Sequence, residues 1–90
     1  MERRFSVTVP ADAESLKAVR AFFRSALEGL FPDCVEDVVL AIDESCSNVL
    51  KHRPPEARGG FLDVRAEILA DRVRFRIANF CDREAVSRIR

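Results

Sequence analysis

The sequence has no excess of either charge, because 15 lysine and arginine residues balance 15 aspartate and glutamate residues in a chain of 90. A general nucleic-acid binder needs a positive excess to displace the counterions around phosphates, so the balance argues against that class and leaves open only a local basic patch. Long apolar runs are also missing, and none approaches the roughly 18 residues of a membrane-spanning helix. We therefore expect no nucleic-acid partner and no membrane partner.

Cysteine is scarce, and the spacing of the three cysteines fits neither metal binding nor redox chemistry. Cys34, Cys46 and Cys81 form no CxxC pair, which argues against a zinc ribbon or a redox motif. An odd number of cysteines without a signal peptide fits a reducing compartment, so we expect a cytoplasmic protein whose thiols are small buried side chains. The length predicts one small domain over residues 1–90.

Alternation of apolar and polar residues predicts three strands. It runs over residues 4–9, 61–69 and 72–80, and each run turns one apolar face inward. The last two runs are separated by Ala70-Asp71, which predicts a β-hairpin with a two-residue turn.

Apolar residues at helical spacing predict two helices between the first strand and the second. Asp12 is a suitable N-cap for a helix that runs to about Leu30. Asp33 and Glu36 form a capping-box-like start for the second helix, which must end near His52 because two prolines follow shortly after it.

The order β-α-α-β-β, with one-sided strands and one-sided helices, predicts an α+β fold in two layers. The helices should cover one face of a mainly antiparallel sheet. The inward faces predict a core made of Phe5, Val7, Val9, Val19, Phe23, Val38, Ile42, Val49, Val64, Ile68, Val73, Phe75 and Ile77.

The predicted last strand carries arginines at alternate positions, Arg72, Arg74 and Arg76. Alternate positions share one face of a strand, so these charges form a single basic stripe. They could pair with Asp63 and Glu67 across the hairpin or bind an acidic partner, and cross-strand pairing is the expected use.

The second helix carries an unusual polar cluster in the stretch DESCSNVLKH, residues 43–52. Glu44, Asn48 and His52 are spaced i, i+4 and i+8, with Lys51 beside them, and all lie away from the apolar stripe. This spacing fits a solvated helix face. It also fits a site in which carboxylate and amide oxygens hold Mg²⁺ while cationic groups neutralise a phosphate.

The longer stretch LAIDESCSNVLKH, residues 40–52, resembles the N-box of the GHKL superfamily of histidine-kinase-like ATPases. The resemblance is closest to the anti-sigma-factor serine kinase branch, whose helix reads DExxxNxxxH, and Asp43, Glu44, Asn48 and His52 fall on that pattern. The order of predicted elements also matches the family, so the resemblance covers most of the chain. It implies a sandwich of helices on a mixed sheet, with ATP bound beside the N-box helix.

The resemblance also implies roles for individual residues. Asn48 would coordinate Mg²⁺, Glu44 would be the general base, and Lys51 and His52 would lie near the phosphates. The phosphate acceptor in this branch is a serine of an anti-anti-sigma factor, a sigma factor is the other kind of partner, and homodimers are common. The expected function is therefore that of an ATP-binding protein serine/threonine kinase-like regulator.

The chain departs from the family at the adenine motif, which in the family reads Asp-x-Gly. The matching place is Asn79-Phe80-Cys81. Asn79 keeps a carbonyl acceptor for the adenine amino group but lacks the charge, so its hydrogen bond should be weaker. Cys81 adds a side chain where glycine would leave space. An equally good interpretation is that Asn79 is a polar residue at the end of a strand and has no role in binding adenine.

The chain also lacks the family's glycine-rich lid, since its three glycines, Gly29, Gly59 and Gly60, all precede the hairpin. We expect residues 1–90 to be the N-terminal part of a longer domain, without its lid and last strands, that binds ATP weakly or not at all by itself. One alternative is a non-catalytic regulatory module with a degenerate nucleotide pocket. Another is an unrelated α/β interaction domain whose helix matches the N-box by chance.

Overall fold

The structure, a computed structural model, describes residues 3–30, 32–53 and 59–80. Its elements, in chain order, are β1 (Arg3–Pro10), α1 (Leu16–Glu28), α2 (Val35–His52), β2 (Phe61–Ile68) and β3 (Val73–Phe80). The strands form one sheet in the order β1-β2-β3, and both pairs are antiparallel. The predicted α+β class and the order β-α-α-β-β are confirmed, with both helices packed on one face of the sheet.

The strands form where alternation was found, and their register keeps the apolar positions on one face. Val64 of β2 lies between Val7 and Ile77, so the same face of all three strands is apolar. The predicted two-residue turn is confirmed, because the Leu69 N–H donates to the Arg72 carbonyl at 2.9 Å around Ala70-Asp71.

The first helix begins slightly later than predicted. Asp12 caps the turn that leads into α1, and not the helix itself. Its Oδ1 accepts a hydrogen bond from the Ser15 N–H at 2.8 Å, and the helix begins at Leu16. Hydrogen bonds from Ser15 hold the pKa of Asp12 below its usual value. The helix ends at Glu28, and Leu30 lies in the turn that follows.

The capping box predicted at Asp33 and Glu36 is wrong. Helix α2 begins at Val35 after Cys34, and no side chain caps it. Glu36 instead accepts two hydrogen bonds from Arg24 of α1, from Nε at 2.8 Å and from Nη2 at 3.0 Å. A two-point contact with a guanidinium is stronger than a bond to a neutral backbone N–H, so the carboxylate turns towards α1. The same contact lowers the pKa of Glu36.

The core lies between the helices and the covered face of the sheet. All 13 predicted core residues belong to it or pack against it, so the periods were assigned correctly. Phe23 and Leu27 of α1, Cys46 of α2 and Leu62 and Val64 of β2 are completely buried. The apolar side chains of β3 are only half-buried, because β3 is an outer strand of the described sheet. Neither described helix has the length and apolar character that crossing a membrane requires.

The two described cysteines differ sharply in environment, which predicts a large difference in reactivity. Cys46 is completely buried, and burial together with the nearby Asp43 carboxylate raises the pKa of its thiol to about 11. Cys34 is exposed. Because the thiolate is the reactive species, a disulfide reagent at pH 8 should label Cys34 rapidly and Cys46 only in denaturant.

The measurement compares labelling rates in two variants, each of which retains one of these two thiols. Cys81→Ser is included in both, so that only one thiol is followed. Equal rates for Cys34 and Cys46 in the native protein would contradict the placement of α2 on the sheet.

Candidate functional site

Two ion pairs to α1 fix the orientation of α2. The Arg20 Nη1 donates to the Asp43 Oδ1 at 2.7 Å, and Arg24 holds Glu36 near the start of the helix. The side of α2 that carries Glu36 and Asp43 therefore faces α1. A neighbouring side of α2, which carries Ile42 and Cys46, is buried against the sheet.

The motif residues lie on the remaining side of α2. At about 100° per residue, Glu44 is about 100° from Asp43, Asn48 about 140° and His52 about 180°. Glu44, Asn48, Lys51 and His52 are all exposed. Lys51 is about 80° from Asp43. The four side chains therefore lie on the part of α2 that faces neither α1 nor the sheet, and Asn48 and His52 point most directly away from α1. We call this side, with its four residues, the outer flank.

The end of α2 lies at the same end of the sheet as Asn79. The Arg53 Nη1, just after the helix, donates to the Ala11 carbonyl at 2.6 Å, and the Ala11 N–H donates to the Gly60 carbonyl at 2.8 Å. Phe61, which follows Gly60 and begins β2, pairs with Phe80, the last residue of β3. The fold therefore brings Asn79 and the last turn of the outer flank to one end of the molecule, although the sequence separates them widely.

Asn79 has an unsatisfied group. It pairs with Leu62 on the helix-covered side of β3, and its Nδ2 donates to the Phe61 carbonyl at 2.9 Å. Its Oδ1 is buried and has no hydrogen-bond partner among the described residues. A buried acceptor without a donor costs about 1–3 kcal/mol, so this oxygen favours any ligand that brings an N–H group. An amino group on a heteroaromatic ring is such a donor.

Two predicted features of the site stay untested. Cys81 of the adenine motif lies outside the described residues. Within residues 3–30, 32–53 and 59–80, no group of three or more His, Cys, Asp or Glu side chains could hold a metal ion. Binding of Mg²⁺ through Asn48 does not need such a group, because Mg²⁺ often takes few protein ligands and completes its shell with waters and phosphates.

The sequence analysis did not predict the ion pair between Arg20 and Asp43, and it singled out Asp43 only as part of the motif. Their contact orients α2 and leaves Glu44 as the neighbouring carboxylate without an ion pair to any described residue. A signal was present: Arg20 and Arg24 lie one turn apart on α1, and Glu36 and Asp43 lie two turns apart on α2. Such opposite charges on consecutive helices indicate the faces that meet.

Comparison with protein families gives one match that spans the site. The family model described as Histidine kinase-like ATPase domain matches residues 9–88, which include the outer flank, Arg20 and Asn79. No curated protein matches the chain.

Proposed function

Because the chain belongs to the histidine kinase-like ATPase domain family, a membership that implies ATP binding, we propose that the outer flank and Asn79 form its nucleotide site. The observation that carries the proposal is the buried Oδ1 of Asn79, which has no hydrogen-bond partner among the described residues. The adenine amino group is the donor that this oxygen lacks, and it would satisfy both partners at once. The residues present therefore fit the nucleotide that the family binds.

The phosphate end of the site would lie along α2. Exposed Lys51 and His52 sit in its last turn, where cations are favoured by the helix dipole and can also face phosphate oxygens. Asn48, one turn earlier, offers an uncharged oxygen ligand. Bound Mg²⁺ would supply positive charge against the phosphates, and Asn48 would hold and orient it.

We assign the chain more narrowly to the anti-sigma-factor serine kinase type. Support comes from the DExxxNxxxH spacing of Asp43, Glu44, Asn48 and His52. Asp43 is occupied by Arg20, whereas Glu44 is exposed and makes no hydrogen bond or ion pair with a described residue. Glu44 is thus the carboxylate that can accept a proton from a serine hydroxyl of a partner protein. An anti-anti-sigma factor is the proposed acceptor, and a sigma factor is the proposed regulated partner.

One feature favours a second candidate, a non-catalytic regulatory module with a degenerate pocket. Asn79 is neutral where the family pattern has an aspartate, so its hydrogen bond to adenine is weaker than a charged one. The two candidates differ in phosphoryl transfer, since only the kinase moves phosphate to a partner.

Removing the Asn79 side chain tests the adenine contact. In the protein expressed from its complete gene, Asn79→Ala should weaken ATP binding by about 3–10-fold, the value of one neutral hydrogen bond. It should leave binding of purine riboside triphosphate unchanged, because that nucleotide has no amino group at the same ring position. Titration calorimetry with both nucleotides measures the difference.

Two variants sharpen this experiment. Asn79→Asp should bind ATP more tightly than the parent, since a carboxylate accepts a stronger hydrogen bond. Ser25→Ala is the control, because Ser25 is exposed on α1 and not on the helix that carries the outer flank. If Asn79→Ala weakens both nucleotides equally, Asn79 supports the strand and does not contact the base.

A further inference from the structure

The side of the sheet away from the helices is strongly basic. Alternate residues of the three strands point to this side, and four of them are arginines. We call the set Arg4, Arg65, Arg74 and Arg76 the arginine face. Together with Ser6 and Glu67 it lines a shallow, open depression on the sheet surface.

A buried carboxylate holds Arg65 in place. Asp63 is only 3% exposed and accepts from the Thr8 hydroxyl at 2.9 Å and from the Arg65 Nε at 2.7 Å. The contact uses Nε, and no described residue is bonded to the two outer nitrogens of Arg65. Arg65 is therefore an oriented cation.

Cross-strand neutralisation, the expected use of the basic stripe, is found for only one of its arginines. Glu67 lies opposite Arg74, with Nη2 to Oε1 at 3.3 Å, and the same carboxylate also contacts Arg4 at 3.5 Å. Asp63 lies opposite Ala78 and not opposite an arginine of the stripe, and its side-chain contacts among the described residues are with Thr8 and Arg65. Arg72 lies before β3 and contacts its neighbour Asp71 at 3.5 Å.

Arg76 is left without compensation. It lies directly opposite Arg65 and makes no hydrogen bond or ion pair with a described residue. Like charges directly opposite on neighbouring strands destabilise a sheet. Among the described residues, Glu67 contacts Arg4 and Arg74 and Asp63 contacts Arg65, whereas neither carboxylate contacts Arg76. An anion between Arg65 and Arg76 would turn this repulsion into attraction.

We propose that the arginine face binds an acidic segment of a partner protein, with one carboxylate held between Arg65 and Arg76. The depression is open and runs across three strands, so it matches a polypeptide better than a small enclosed anion. Arg74 and Arg76 are two residues apart on one strand, about 6.6 Å. Acidic side chains at alternate positions of an extended segment have the same spacing. The surface lies across the sheet from the nucleotide site, and the proposal does not depend on that site.

A labelled peptide that alternates glutamate and serine tests this proposal by fluorescence anisotropy with the full-length protein. Arg76→Gln should weaken binding about tenfold, because it removes a charge-assisted hydrogen bond. Arg72→Gln removes the same charge from the hairpin turn, outside the arginine face, and should change affinity less than about twofold. Arg76 has no structural partner among the described residues, so circular dichroism should show both variants folded.

Several results would overturn the proposal. One is equal weakening by Arg76→Gln and Arg72→Gln, which indicates only general attraction. Another is unchanged binding of a peptide with glutamine in place of glutamate. If inorganic phosphate binds with the same dependence on Arg76 while the peptide does not, the ligand is a small anion. If the peptide fails to bind and Arg76→Gln dissociates a dimer in sedimentation, the surface joins two copies of this chain.

Discussion

Glu44→Gln is expected to lower phosphoryl transfer to the partner serine by about 10²-fold or more, while Mg-ATP affinity stays close to that of the parent protein. The change keeps the size and shape of the side chain and removes only its ability to take a proton. An interaction made only in the transition state changes turnover without changing ground-state binding. Glu44 is the proposed base because it is exposed, whereas the neighbouring Asp43 is paired with Arg20.

Asn48→Ala should give the opposite pattern, which separates the two roles. It should weaken binding of Mg-ATP roughly tenfold and leave binding of ATP in the presence of a chelator unchanged, because only the metal contact is lost. Both residues lie off the buried side of α2, so the helix should survive both substitutions. The measurements are nucleotide titrations and single-turnover transfer to the partner protein.

The control for charge is Glu28→Gln, at the exposed end of α1. It should transfer phosphate at the parent rate. If Glu44→Gln does so as well, Glu44 is a surface residue and the assignment of the base fails. If Asn48→Ala also binds Mg-ATP like the parent, the outer flank is a solvated helix face.

Phe23→Ala should produce the largest loss of stability. Phe23 is completely buried in the middle of α1, and its ring packs edge to face on Phe22 with centroids 4.9 Å apart. Truncating a buried phenylalanine costs about 3–5 kcal/mol through lost transfer energy and the cavity left behind. A domain of this size has a free energy of unfolding of roughly 5–13 kcal/mol, so the variant should retain little stability.

Urea unfolding, followed by circular dichroism, measures this effect. Phe75→Ala is the matched comparison on the outer strand β3, and it should cost clearly less because its ring is only half-buried. If Phe23→Ala does not fold, Phe23→Leu retains most of the side-chain volume and gives a measurable midpoint. A loss below about 1 kcal/mol for Phe23→Ala would mean that α1 does not cover the sheet as described.

The fold was largely predictable because its signals are local. Alternation placed β1, β2 and β3 within one or two residues, and helical spacing found the buried sides of α1 and α2. The predicted capping box is absent because the Glu36 carboxylate binds Arg24, which belongs to another helix. The same reason hid the contact of Arg20 with Asp43. Polar contacts depend on register and on helix pairing, and neither follows from periodicity.

The candidate site was predictable only in part. The residues of the outer flank came from the resemblance of a short motif, since an exposed polar residue leaves no periodic signal of its own. Their common exposure on the part of α2 that faces neither α1 nor the sheet is seen only in the folded chain. The resemblance to the family's adenine motif identified Asn79 as an acceptor, whereas the burial of its Oδ1 without a partner among the described residues is seen only in the folded chain.

The hydrogen bond from Arg53 to the Ala11 carbonyl has a consequence for the entropy of ligand binding. The last turn of a helix usually frays, because its final carbonyl groups have no partner within the helix. Here the residue after α2 is tied to the segment between β1 and α1, so the turn that carries Lys51 and His52 is held in place. The freedom of that backbone is already lost in the free protein. A nucleotide that contacts this turn therefore meets a preorganised surface, and less of its interaction energy is spent on ordering the chain.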